Sequence, residues 1–369
     1  MKTVILIALI VSVSLSSEAA TFRVAKDGIA TYSEVQPAIY AATAGDTIYV
    51  AASPARYQGF SVDRRLVIYG AGTDTIPGQA TIVDGIVRIF DTADSTELNS
   101  TWLSGGPASN IDSGRALLII HSGSLSVRIS RCYIENIYGA SAEVAGAWIG
   151  SDATATFIDC GFWLNSNGGS WEHSCILMTS WNPGCQVSIF NCAFVLSQGN
   201  PSYFGISSRI ASNTLAIRHC IFDNCNGVGG SAVGTMQNSA SPYAQTSLVG
   251  GALNMAASYC SSMNYLPYGS GNFALTGAPF ANHVPGSLRR SDYHLSANSV
   301  LHNTGNPLCC NDLEDGSQAD IGIYGGQTPF VQFGIPDFPV VLELEVPASV
   351  PQNGVLHIGS RGRVGPGNQ

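Results

Sequence analysis

VRISRCYIEN (127–136), TFIDCGFWLN (156–165), VSIFNCAFVLS (187–197) and LAIRHCIFDN (215–224) are four versions of one phrase. In each, apolar residues alternate into a polar residue, then Cys, then an aromatic or aliphatic residue two places later. Cys132, Cys160, Cys192 and Cys220 follow one another at intervals of 28, 32 and 28 residues. A second series, ALLII (116–120), GAWIG (146–150), CILMT (175–179), FGISS (204–208) and AVGTM (232–236), keeps nearly the same period. Two phrases with one period mark stacked units, each burying its apolar face against the next. Each unit reads as strand, loop, strand, tight turn, strand. Alternation points Val127, Ile129, Cys132 and Ile134 inward and makes Arg131, Asp159, Asn191 and His219 corners. Asn and Asp tolerate the left-handed backbone a corner needs; Arg and His suit it less.

The first twenty residues form a separate segment. Lys2 precedes an apolar run from Val4 to Leu15, and Ser17 and Ala19 fit a small-x-small cleavage site. This pattern predicts an export signal and a secreted, extracytoplasmic chain. The run is too short to span a membrane, and no later stretch is long enough. Charged residues make up 11% of the chain, against roughly 25% in ordinary globular domains, while 45% is hydrophobic. The sequence should therefore fold rather than stay disordered. A thinly spread net charge of −9 disfavours nucleic acid and anionic membranes as partners. An uncharged polar and aromatic surface suits neutral or weakly charged glycans.

Stacked repeat cysteines lie slightly too far apart for disulfides, about 4.8 Å with parallel Cα–Cβ bonds. They are expected to be a buried thiol ladder. Cys175 with Cys185 and Cys220 with Cys225 are the better disulfide candidates; adjacent Cys309 and Cys310 would make a strained pair. Residues 33–44 are the one convincing helix, with Ser33 as its cap and Val35, Ala38, Ile39 and Ala42 on one face. Such a helix would cover the open end of a stacked core. Residues 91–113 break the rhythm and read as an inserted loop.

TYSEVQPAIYAATAGDTIYVAASPARYQGF (31–60), the Asn-Cys-x-Phe corner of 191–194 and ADIGIYGG (319–326) together resemble the pectin-lyase-like class, in its exported bacterial form. The resemblance spans about residues 21–326. It implies an all-β right-handed parallel β-helix over residues 21–330, closed by an N-terminal capping helix. The Pro-rich residues 331–369 resemble a linker and the start of an incomplete C-terminal β segment; a tail following one edge strand, VVLELEV (340–346), is the other reading.

The resemblance includes lyases, hydrolases and esterases of acidic polysaccharides, and implies for a lyase an Arg or Lys base beside carboxylates holding Ca²⁺. Arg128 and Arg218 point outward without aligned acids, so they are weak catalytic candidates. A hydrolase needs two carboxyls about 5 to 10 Å apart; Asp159 and Asp223 are the nearest candidates, with a turn role for Asp159 the simpler reading. The histidines show no metal-binding spacing. No cofactor is expected, beyond weak Ca²⁺ candidates at Asp312, Asp315 and Asp320. Trp148, Trp163, Trp171 and Trp181 crowd into 34 residues and are the glycan-stacking candidates. These features favour a non-catalytic glycan- or surface-interacting protein; a polysaccharide lyase or glycoside hydrolase is the alternative, and a structural spacer the third reading.

Overall fold

The computed structural model describes residues 19–105, 115–123, 126–136, 144–165, 173–178, 181–198, 203–242, 247–250, 254–263, 268–345, 355–356 and 358–363. The segment 1–20 that the sequence predicts to be an export signal lies almost entirely outside the described residues. Each coil gives one strand to each of three parallel sheets. The first sheet has ten strands, from Thr21–Val24 to Asn254–Ser258. The second has ten, from Tyr57–Gln58 to Phe273–Ala274, and the third eight, from Ser61–Val62 to Val249–Gly250. The chain is an all-β parallel solenoid, the architecture that its motifs implied.

Register stacks like on like. Ile129, Phe157, Ile189 and Ile217 are successive partners in the first sheet. Ile134, Phe162, Phe194 and Phe222 align in the second. The rings of Phe162, Phe194 and Phe222 stack at 5.0 and 4.9 Å, nearly parallel. All of these side chains are fully buried, so the repeat stabilises itself through a continuous apolar column.

The corners explain the phrase. Ser100, Arg131, Asp159, Asn191, His219, Asn238 and Tyr259 each turn the chain from the first sheet into the second at φ between 50 and 54°. At the next residue, a side chain donates back to a carbonyl at the turn. Cys132, Cys160, Cys192, Cys220 and Cys260 reach the carbonyl two residues earlier, at 3.2–3.4 Å. Thr101 and Ser239 make the same contact at 3.0 and 2.9 Å. Cysteine serves here as a small apolar group that is also a weak donor. The ladder thus runs further than the four phrases, because Thr, Ser and a fifth Cys do the same work.

Several expectations need correction. All ten cysteines are free thiols. Cys175 lies in a strand of the third sheet, whereas Cys185 enters the first, where it contacts Asn213 Oδ1. Cys220 and Cys225 are separated by the strand Ile221–Asp223, which carries them to different corners. The helix runs Val35–Ala41 with Glu34, not Ser33, at its N-cap and no side-chain capping bond. Glu34 is instead drawn to Lys26 and to the Gln58 N–H. The supposed loop 91–113 contains the strands Thr96–Asn99 and Trp102–Gly105, which belong to the first and second sheets. Only its later residues, 106–113, lie outside the described set.

Residues 280–334 fold back over the outer face of the second sheet. Phe280, Tyr293, Leu301, Ile321 and Ile323 pack there on Ala193, Val195, Ile221 and Ala240, forming a second apolar cluster. The corners hold this closing segment: Asn238 Oδ1 accepts from the Asn306 N–H at 2.8 Å, and its carbonyl accepts from Gly322 N–H at 3.0 Å. Beyond it, Val340–Glu345 pairs antiparallel with Gly359–Arg363, so the tail has two strands rather than one.

Candidate functional site

Burial along the strands shows which face is open. In the first sheet, Thr154–Ile158, Gln186–Phe190 and Thr214–Arg218 alternate buried with accessible residues. In the second, Ala193–Leu196 and Ile221–Asp223 are buried on both faces, because the closing segment covers them. In the third, His173–Met178 is buried throughout. Parallel strands buried on both sides read as continuous apolar runs, and a half-open sheet alternates.

The open face carries two outward rows. One runs Glu97, Arg128, Thr156, Ser188, Ala216 and Thr235; the other Asn99, Ser130, Ile158, Phe190, Arg218 and Gln237. Arg128 and Arg218 are both exposed, three rungs apart, with neutral residues between them. Glu97 sits on the rung beside Arg128, so this arginine does have an aligned acid. Sequence reasoning missed Glu97 because its short strand, TELN, lay inside a stretch read as loop. The alternation of Thr96 and Leu98 inward was the available signal. At the N-terminal end the face closes: Phe338 packs edge-on against the stacked rings of Tyr49 and Tyr69.

Asp159 and Asp223 lie elsewhere. Asp159 is a buried corner residue whose Oδ2 is 3.9 Å from Arg131 Nε, while Arg131 Nη1 is 3.5 Å from Asp337. Burial raises the Asp159 carboxyl to about 7, against the opposing pull of Arg131 and Arg128. It borders a small cavity of about 60 Å³ between the second sheet and the closing segment, which Arg289 and Tyr293 also line. The Arg289 guanidinium lies 3.9 Å from the ring centroids of both Trp102 and Tyr133.

Asp223 is fully buried further along the same face. Tyr293 OH donates to its Oδ2 at 2.7 Å, and His283 Nε2 stands 3.0 Å from its Oδ1, outside hydrogen-bond alignment. Burial, then the charge of Asp223, pushes the Tyr293 hydroxyl well above its ordinary range. Asp159 and Asp223 belong to successive parts of a covered face and are separated by the rung of Val195. They do not flank an open cleft, so a polymer has no route between them as the hydrolase reading requires.

The tryptophans are not brought together. Trp148 packs with Ile86 on the outer face of the third sheet. Trp163 lies under the closing segment and donates through Nε1 to the Gly286 carbonyl at 2.9 Å. Trp181 is 72% exposed in the connection between the third and first sheets. Trp171 lies outside the described residues. The acidic trio is also engaged in turns. Asp312 accepts from the N–H groups of Asp320 and Gly326, Asp320 from Asn303 N–H, and Asp315 from Ser317 N–H. Among the described residues, the His, Cys, Asp and Glu side chains whose donor atoms converge are His219, Cys309 and Cys310.

No protein-family model matches the chain, and no curated protein matches it. Among solved structures it is similar to pectate lyase Pel9A, with a TM-score of 0.40 and 13% identity over 84% of this chain and 96% of that one. At that similarity nothing of the lyase's activity transfers. No described helix is long and apolar enough to cross a membrane.

Proposed function

We propose that the protein binds an extended, sparsely charged polysaccharide along the outer face of the first sheet, as an exported protein whose residues 1–20 are its signal. The observation that carries this reading is the alternating burial of Thr154–Ile158, Gln186–Phe190 and Thr214–Arg218, which marks a long sheet face left open while its two neighbours are covered. Successive rungs, about 4.8 Å apart, present hydroxyls and small groups to a chain lying along the solenoid axis. Phe190 and Ile158 offer apolar contact to sugar faces, and Arg128 and Arg218 offer forked donors to carboxylates about 14 Å apart along the solenoid axis and about two strand residues apart across it.

Arg128 presents a planar fork of donors on the open face, which suits pairing with a uronate carboxylate.

Affinity electrophoresis against polygalacturonate, alginate and a neutral xylan tests the proposal. Retardation by at least one polymer is expected. Arg128→Ala and Arg218→Ala should each weaken binding of the uronate polymers about tenfold, equivalent to ~1.4 kcal/mol, while Asp223→Asn leaves it unchanged. Migration unaffected by every polymer would reject the reading. Unsaturated-uronate absorbance that is abolished in Arg128→Ala would replace binding with lyase action.

A further inference from the structure

The corner residue His219 meets the vicinal pair Cys309-Cys310 at the edge of the closing segment. Their nearest donor atoms all lie within 4.8 Å of one another. Cys310 Sγ is 3.4 Å from His219 Nε2 and 3.0 Å from Cys309 Sγ. The three come from two distant parts of the chain, so the fold and not local sequence assembles them. His219 is 4% exposed, and its ring lies against backbone: a Cβ at Gly325 would come within 3.0 Å of Nδ1, and one at Gly326 within 2.8 Å of Nε2. Asn238 Nδ2 also stands 3.1 Å from His219 Nε2, the nitrogen that faces Cys310, so loading the site exchanges this contact for a metal–nitrogen bond. The imidazole is thus clamped in place, while both cysteines are half-buried and reachable from solvent.

The geometry points to a site for a soft d¹⁰ metal ion, Zn²⁺ or Cu⁺, held by His219 and the thiolates of Cys309 and Cys310. Two thiolate sulfurs and a neutral imidazole nitrogen are the donor set such ions select, in contrast to the oxygen ligands Ca²⁺ requires. Loading exchanges the two S–H bonds for metal–sulfur bonds and passes the protons to solvent, with no change of oxidation state. Three protein donors leave a coordination position open to water or ligand.

The vicinal pair also explains why the site escaped the spacing rules. A His at a corner and a Cys-Cys ninety residues later match no local motif, and only the seating of the closing segment on the corner ladder joins them.

Anaerobic titration of the reduced full chain with Co²⁺, followed by Zn²⁺ competition, tests the site. One Co²⁺ per chain with near-ultraviolet thiolate charge-transfer absorption is expected, and Zn²⁺ should abolish that absorption. Cys309→Ser/Cys310→Ser, which alters half-buried loop positions and should fold as the parent by circular dichroism, should lose it. His219→Asn, whose side chain tolerates the same left-handed corner as Asn191 and Asn238, should keep weakened sulfur bands with altered d–d absorption. Absence of the bands in the parent chain would overturn the proposal, and so would their persistence in the double-serine variant.

Discussion

Asn191 Nδ2 donates to the carbonyls of Ile323 and Gly325, at 2.8 and 2.9 Å, from a corner whose own φ is 51°. One side chain therefore tolerates the left-handed turn and also anchors the closing segment, more than 130 residues away. The two roles separate by substitution. Asn191→Gly keeps the turn and loses the anchor, whereas Asn191→Ala loses both. Leaving buried carbonyls unpaired costs about 1–3 kcal/mol, and a Cβ residue without local support adds about 1 kcal/mol in the left-handed region. Urea denaturation should rank the parent above Asn191→Gly and Asn191→Gly above Asn191→Ala. Equal stability of the two variants would show that the turn imposes no strain there.

The corner thiols behave as donors as well as filler. Cys192 Sγ donates to the Phe190 carbonyl at 3.2 Å, and Ser239 reaches the matching carbonyl of its own coil at 2.9 Å. Cys192→Ser should therefore destabilise the chain by no more than Cys192→Val, despite valine's greater hydrophobicity. A net hydrogen bond is worth ~1 kcal/mol, and valine's second methyl must also find room in a close-packed column. Thermal unfolding of both variants decides it; a clearly more stable valine variant would reduce the ladder to simple packing.

Asp159 makes stability depend on pH. Its carboxyl rises from 3.8 to about 7 in the fold, so between these values the folded chain binds more protons than the unfolded one. Its contribution is fully present below about pH 4 and is lost as pH rises through 7. Asp159→Asn should remove that loss: its stability relative to the parent should grow from pH 4 to pH 8, by a few kcal/mol at most given roughly 1.4 kcal/mol per unit. A parent-minus-variant difference that stays flat across this window would show that the buried carboxyl is ionised throughout.

The period, the inward positions, the corners and the capping helix were all legible, because each rests on local alternation and turn chemistry. The strand TELN (96–99) was not, since a four-residue strand beside Gly- and Ser-rich sequence gives too little alternation to stand out. Asp223 looked like one of a catalytic pair, yet its neighbours His283 and Tyr293 come from the closing segment, whose landing place no periodicity encodes. The tryptophans failed for a related reason. In a solenoid of about 30 residues per coil, side chains close in sequence fall on different faces, so Trp163 ends on the second sheet, Trp148 on the third and Trp181 in the connection from the third to the first. Position within the coil, not sequence distance, decides which side chains share a surface.

Arg289 tests how the closing segment is fastened. Its guanidinium sits in the corner formed by the edge-to-face rings of Trp102 and Tyr133, 3.9 Å from each centroid, and Nη1 donates to the Thr73 carbonyl at 2.9 Å. Trp102 in turn donates through Nε1 to Glu135 Oε2 at 2.9 Å; burial raises this carboxyl while Arg289 pulls it down. A planar cation fits this slot where a compact ammonium does not. Stacking contributes about 0.5–2 kcal/mol per ring, so Arg289→Ala should destabilise the chain by roughly 2 kcal/mol and open residues 280–334 to limited proteolysis. Arg289→Lys retains the charge but loses the flat contact and the directed bond to Thr73, so it should recover less than half of that loss. A lysine variant as stable and as protease-resistant as the parent would show that charge near Glu135, and not stacking, fastens the segment.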